Sequence, residues 1–126
     1  TIDDEDSDIA IMELYTEMDK QARKSDGAVI SLLGNHELMN AQGHLRYVSR
    51  KGLTGFHKNY MNPDTGKPFK NGERARRHAF NPGNKYSKFM GCTRLGAVII
   101  GSNIFVHAGV VNGLLNKYHP NIFLLG

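Results

Sequence analysis

Three residues whose side chains bind metals or transfer protons follow one another without a gap. Asn35, His36 and Glu37 come directly after Gly34, which ends the apolar run at residues 28–33. Open α/β sheets bind ligands at the carboxyl ends of their strands, so a buried strand that stops at these polar residues predicts a site. Gly34 allows a tight turn and leaves room for a ligand or an ion.

A second apolar run ends in the same way, because residues 104–106 are followed directly by His107. Amide oxygens and neutral imidazoles are good ligands for Mn, Fe, Zn or Mg ions. We therefore expect Asn35 and His107 to lie close together at the ends of two strands and to bind the same metal. A pair of metals about 3.5–4 Å apart stabilises both ends of a phosphoryl displacement.

His36 is the candidate proton donor, because an imidazole beside the metal ligands can protonate a leaving alkoxide. Glu37 can hydrogen-bond that imidazole and fix its tautomer. A single histidine after a strand is more often structural, but the second strand end with His107 favours a functional role. A zinc-protease motif is excluded, because His-Glu-x-x-His would need a histidine where Asn40 stands.

Apolar spacing predicts the elements that position these residues. A helix is expected over residues 8–24 and a buried strand over residues 28–33, together half of a βαβ unit. Further along the chain we expect one or two helical turns over 38–42, short helices over 71–80 and 85–91, a hairpin of strands 95–100 and 104–107, and a last helix over 110–118.

Residues 44–94 are rich in Gly, Asn and Pro and carry most of the basic side chains. A loop-rich insert of this length is often a lid, so we expect residues 44–94 to form a basic cap over the site within a single domain, residues 1–126. Positive charge there would attract an anionic substrate. Arg46 is the best candidate to bind phosphate, with pairing to a nearby carboxylate as the open alternative.

Composition restricts the class of protein. The 126 residues are 40% hydrophobic and 22% charged, as in an ordinary soluble globule, and no apolar run approaches the ~20 residues of a membrane span. Cys92 is the only cysteine, which favours the cytoplasm or another reducing intracellular compartment. The chain starts at Thr1 without methionine and ends on an apolar run, so we expect a part of a longer protein.

The residues around both sites resemble a known family. Gly34–Glu37 resembles the third signature block of the calcineurin-like metallophosphoesterases. Val106–Gly109 resembles their following His-Gly-Gly block, with Ala108 in place of the usual glycine. The bacterial-type, Shewanella-like branch of phosphoprotein phosphatases is similar in order at residues 33–40, 46–49, 76–83 and 104–107, and the similarity covers roughly residues 7–118.

This resemblance implies an α/β fold, part of a metallophosphoesterase β-sandwich flanked by helices, with a loop-rich cap insert. It also implies two divalent metal ions (Mn, Fe or Zn), with Asn35 and His107 as ligands of the second ion. Asn35 would in addition touch the phosphate of a phosphorylated protein or small phosphomonoester, and His36 would be the general acid. The family's Gly-Asp-x-His and Gly-Asp-x-x-Asp-Arg blocks would precede Thr1, and a late metal-binding histidine would follow Gly126.

Three functions are compatible with these patterns. A metal-dependent phosphomonoesterase, as a phosphoprotein phosphatase, is favoured. A catalytically inactive, phosphatase-like structural or interaction module is the alternative, because the first two blocks lie outside the chain. A nuclease or nucleic-acid-binding domain is suggested by the basic insert, but aromatic residues are not interleaved with the basic ones as in single-strand binding grooves.

Overall fold

The structure is a computed structural model that describes residues 7–56, 60–110 and 124–125. The described chain is mixed α/β, with helices in its first three quarters and a small sheet after them. The helices are α1 (Ser7–Arg23), α2 (Asn35–Ala41), α3 (Arg50–Thr54), α4 (Gly72–Phe80) and α5 (Lys85–Thr93). The strands are β1 (Ala97–Ile100), β2 (Asn103–Val106) and β3 (Leu124–Leu125).

Helix α1 confirms the helix expected over residues 8–24. Ile9 and Met12, on one of its faces, pack against the hydrophobic core. The Gly27 N–H donates to Ala22 O at 2.9 Å and closes the helix. The carboxylate of Asp19 accepts a hydrogen bond from the Val29 N–H at 2.9 Å, so α1 also holds the start of the segment that leads to the site.

The strand expected over residues 28–33 is wrong in its extent. Only Leu32 forms a bridge, parallel to Leu95, with hydrogen bonds from Leu33 N to Leu95 O (2.8 Å) and from Leu95 N to Ser31 O (3.0 Å). A strand needs a partner backbone along its length, and the described residues offer one only at Leu95. The expected burial is also wrong, because Ala28 is exposed and residues 29–33 are only partly buried. An apolar run indicates neither the backbone that pairs with it nor how completely it is covered.

The hydrophobic core lies within the segment expected to be a loop-rich cap. It is formed by buried residues from α4, α5 and the chain before them: Phe56, Tyr60, Ala75, Ala79, Phe80, Tyr86 and Met90. Helices α4 and α5 agree with the short helices expected there, whereas α3 was not predicted. The described part of residues 44–94 therefore contains three helices and a packed aromatic core, and does not consist mainly of loops.

The sheet confirms the expected hairpin. Strands β1 and β2 are antiparallel, with Ile100 opposite Asn103 across a two-residue turn, and β3 pairs in parallel with β1 to give the order β2-β1-β3. Val98 in β1 is almost fully buried. The described residues do not show the β-sandwich that the resemblance implies.

The end of the chain is described only in part. Apart from Val110, the helix expected over residues 110–118 falls outside the described residues. None of the helices described is long and apolar enough to cross a membrane.

Candidate functional site

The first turn of α2 presents the polar residues that follow the apolar run. Gly34 is the N-cap residue, with extended backbone (φ −98°, ψ 173°), so that Asn35, His36 and Glu37 occupy the first three helical positions. The Glu37 carboxylate accepts a hydrogen bond from the Gly34 N–H at 2.8 Å. A carboxylate at the third helical position pairs with the N-cap N–H, which would otherwise lack a partner, and interacts favourably with the positive end of the helix dipole. The helix thus begins three residues earlier than expected.

The glycine at this N-cap is required by close packing. A Cβ atom at position 34 would lie 2.6 Å from the Glu37 carboxylate and 3.3 Å from both Nε2 and Cε1 of His107. Any larger residue would push against both groups. Gly34 therefore allows the α2 turn to approach the end of β2, where His107 follows the last strand residue.

Asn35 and His107 meet across this gap. The Oδ1 atom of Asn35 and the Nε2 atom of His107 lie 3.1 Å apart, at hydrogen-bond distance, which confirms the expected proximity of the two residues. Both side chains are exposed, so an ion or a substrate from solvent can reach them. Their role as metal ligands stays a prediction.

The geometry fits a shared ion. Two ligand atoms that bind one ion through bonds of about 2.0–2.2 Å lie roughly 3 to 3.5 Å apart, and the Asn35–His107 separation falls in that range. The space that a Cβ at Gly34 would fill is adjacent to the same imidazole. Among the described residues no group of three or more His, Cys, Asp or Glu side chains is placed to hold a metal, so the two residues would be part of a larger ligand set.

His36 contacts Tyr47, an aromatic residue that the sequence analysis did not identify as part of the site. Its imidazole stacks on the Tyr47 ring, with centroids 5.1 Å apart and planes only 5° from parallel. The guanidinium of Arg46 lies 4.8 Å from the centroid of the same Tyr47 ring. A cation over an aromatic face is attracted by the ring quadrupole. Arg46 thus lies in the neighbourhood of the candidate proton donor, as part of an Arg46–Tyr47–His36 row.

Glu37 makes a different contact from the one expected. Its carboxylate is bound to the Gly34 backbone and not, among the described contacts, to the His36 imidazole. It also lies near buried Arg94, whose pKa is lowered by burial and is raised in turn by the charge of Glu37. Arg94 donates to Met12 O at 2.7 Å and to Thr16 Oγ1 at 3.1 Å. Glu37 therefore stabilises the start of α2.

A cavity of about 290 Å³ lies behind this row. Its walls include His36, Tyr47 and Asn40, together with the buried Arg76 and the exposed Asp8. The Arg76 Nε atom donates to Asn40 Oδ1 at 2.7 Å, and Asn40 Nδ2 donates to the His36 carbonyl at 2.9 Å. Candidate site and buried core are thus connected by hydrogen bonds.

The chain is similar in sequence to several known proteins, two of which are named as phosphatases. The chain is 43% identical over 111 residues to uncharacterized protein R398 of Acanthamoeba polyphaga mimivirus, a match that covers 84% of the chain and 40% of that protein. It is 26% identical over 132 residues to Shewanella-like protein phosphatase 2 of Arabidopsis thaliana (82% of the chain, 34% of the relative). It is 31% identical over 105 residues to Shewanella-like protein phosphatase 1 of Plasmodium berghei (82% and 25%).

The two phosphatase-named homologues support a link to a phosphatase family. The link is distant, and the chain spans between a quarter and two-fifths of the length of these relatives. No family model and no solved structure matches the chain.

Sequence reasoning found Asn35, His36 and His107 but missed Tyr47, Asn40 and Arg76 as their neighbours. Asn40 lies four positions after His36 in α2, a spacing that places two side chains on one helix face, and this signal was present in the sequence. Contacts of Tyr47 and Arg76 arise from tertiary packing and have no local sequence pattern.

Proposed function

We propose that this protein is a metal-dependent phosphomonoesterase that acts on phosphorylated proteins, and that the chain supplies one side of its active site. The observation that carries the proposal is the 3.1 Å approach of Asn35 and His107, with His36 adjacent to Asn35 in the same helical turn. The two phosphatase-named homologues support the same class of reaction.

Asn35 and His107 would hold one of two divalent ions. When bound, such ions polarise the phosphate oxygens and lower the pKa of a water that attacks phosphorus. Asn35 Oδ1 and His107 Nε2 face each other, and both belong to exposed side chains. Their amide and imidazole are uncharged ligands, so the anionic ligands that neutralise the ions would come from elsewhere in the protein.

His36 would protonate the leaving oxygen of the substrate. A general acid must reach that oxygen, and His36 occupies the helical position directly after Asn35 and is exposed. Stacking on Tyr47 restricts rotation of the imidazole. Its proton would therefore be held toward one side of the site, where the leaving group would have to lie. General acids typically contribute about 10²–10⁴-fold to rate.

Arg46 would bind the phosphate from the side of the cap. Its guanidinium rests on the Tyr47 ring and is exposed, so its donors are accessible to an anion. Exposed basic residues nearby in the chain, Arg50 and Lys51, would raise the encounter rate with a phosphorylated protein.

The test is hydrolysis by the full-length protein, loaded with Mn²⁺, of a phosphopeptide, p-nitrophenyl phosphate and bis-p-nitrophenyl phosphate. The proposal predicts metal-dependent phosphate release from both monoesters that is lost on chelation and in His107→Ala. Binding of a protein partner without any hydrolysis would favour the inactive module. Preferential cleavage of the diester would favour a nuclease.

A further inference from the structure

Arg76 is a buried charge in an unusual setting. Its side chain is almost fully buried, and its guanidinium packs against the neighbouring Phe56 and Phe80 rings, 5.4 Å and 4.9 Å from their centroids. One of its nitrogens, Nη1, is buried without a hydrogen-bond partner among the described residues. Burying a charged donor in this way costs free energy. An unbranched apolar side chain would fill the same space beside these rings without that cost.

The other two nitrogens of the Arg76 guanidinium have specific partners. Nη2 lies 2.5 Å from the Asp8 carboxylate of α1, and Nε donates to Asn40 Oδ1 of α2 at 2.7 Å. Asn40 is itself buried. Arg76, in α4, therefore connects α1 and α2 through one planar group.

Asn40 in turn contacts the backbone of His36, the candidate proton donor. Its Nδ2 atom donates to the backbone carbonyl of His36 at 2.9 Å. A guanidinium only donates and a carbonyl only accepts, so a single orientation of the Asn40 amide satisfies both neighbours. In the flipped orientation, the amide would set a donor against the guanidinium and an acceptor against the carbonyl. Arg76 thereby fixes the orientation of Asn40, and Asn40 fixes the His36 peptide.

We propose that Arg76 and Asn40 are positioning residues for His36. The inference rests on the proposed function, in which His36 is the general acid. The His36 backbone is held by Asn40 from the core side, and its ring is held by Tyr47 from the other. Asn35 is held separately, by contact with His107. Loss of the Arg76–Asn40 link should therefore displace His36 more than Asn35.

The test uses the dependence of rate on the leaving group. A poor leaving group such as the serine of O-phosphoserine needs a general acid, whereas p-nitrophenolate leaves with little assistance. Asn40→Asp keeps the contact with Arg76 but replaces the donor to His36 by an acceptor. Arg76→Met keeps the length of the side chain but removes all donors. Arg74→Met, at an exposed position of α4, is the matched control for loss of charge.

Both Asn40→Asp and Arg76→Met should lower kcat/KM on O-phosphoserine by about 10–100-fold, since small displacements of a catalytic group have effects of this size. The loss on p-nitrophenyl phosphate should be several-fold smaller, and Arg74→Met should resemble the wild type on both substrates. Equal losses on the two substrates, or no loss in Asn40→Asp, would overturn the proposal. If Arg76→Met does not fold, Asn40→Asp decides alone.

Nuclear magnetic resonance separates this proposal from the proposed function. If the wild-type protein hydrolyses neither substrate, the phosphatase proposal fails, but the His36 ring and amide signals still report its position. Positioning predicts that these signals shift in Asn40→Asp and stay unchanged in Arg74→Met. His36 signals that are identical in wild type and Asn40→Asp would overturn the positioning role, whatever the activity.

Discussion

The Oδ1 atom of Asn35 and the Nε2 atom of His107 lie 3.1 Å apart although 72 positions separate the two residues in the chain. One side chain belongs to the first turn of α2 and the other follows the last residue of β2. Two good metal-ligand atoms from distant segments thus meet beside Gly34, where a Cβ atom would crowd the imidazole. The proposed role of His36 as general acid depends on this contact between Asn35 and His107.

His36→Asn should lower turnover of O-phosphoserine by about 10²–10⁴-fold while the protein keeps its bound metal. Asparagine cannot donate a proton as an acid, but it leaves the Asn35–His107 pair intact. The measurements are steady-state kinetics and metal content by mass spectrometry. His44→Asn, at an exposed position after α2, is the control for removal of a nearby imidazole. Unchanged turnover in His36→Asn would remove His36 from the role of general acid.

Arg46→Lys separates two roles of Arg46. If its guanidinium binds phosphate with two donors, the lysine variant should show a large fall in kcat/KM, because an ammonium cannot form the same paired bonds. Its melting temperature should stay close to that of the wild type. If Arg46 only stabilises the fold by packing on Tyr47, the melting temperature should fall and the kinetics should stay nearly intact.

Gly72→Ala should destabilise the fold by at least about 2 kcal/mol, because overpacking in a rigid contact typically costs about 1–3 kcal/mol. A Cβ at this position would lie 1.6 Å from the Leu53 carbonyl oxygen, in the contact between α3 and α4. Gly91→Ala is the matched control, since its Cβ would meet no atom within 4 Å. Alanine there should stabilise α5 by up to about 1 kcal/mol. Urea unfolding of both variants checks this, and equal free energies of unfolding would contradict it.

Asp19 predicts a pH dependence of stability. Hydrogen bonds from Arg23 and from the Val29 backbone lower the pKa of this carboxyl below its usual 3.8. A lowered pKa stabilises the folded state above the unfolded-state pKa, and this contribution is lost as the pH falls through the folded-state value. Asp19→Asn should therefore be less stable than the wild type at pH 7, and the difference should shrink below about pH 4. Unfolding free energies measured from about pH 7 to about pH 3 test it, and a constant difference would contradict the role of ionised Asp19.

Sequence patterns predicted the parts of the structure that depend on local rules. Helical spacing of Ile9 and Met12 located α1, and the short polar break after Ile100 located the hairpin. The motif at Gly34 located the turn at which Asn35 and His107 come together, and the role of these residues as a site stays a prediction. The proximity of Asn35 and His107 followed from two segments in which an apolar run ends at a side chain of a type that can bind a metal.

Tertiary contacts were beyond the reach of these patterns. The run at residues 28–33 was expected to be a strand, but its described partner is limited to Leu95. The insert at residues 44–94 has a weakly patterned sequence, yet aromatic packing around Phe56 and Phe80 gives it a core. Neither the stacking of His36 on Tyr47 nor the link from Arg76 to Asn40 has a fixed spacing in sequence, so both required the structure.

The proposed function depends on the binding of one metal ion by both Asn35 and His107. A crystal structure of the full-length protein grown with Mn²⁺, with anomalous diffraction data, tests it most directly. We expect an anomalous peak within about 2.0–2.2 Å of both Asn35 Oδ1 and His107 Nε2, with His36 beside it and not bound to it. A manganese site that includes neither residue, or an Asn35–His107 pair that keeps its direct hydrogen bond while manganese binds elsewhere, would show that the two residues are not metal ligands.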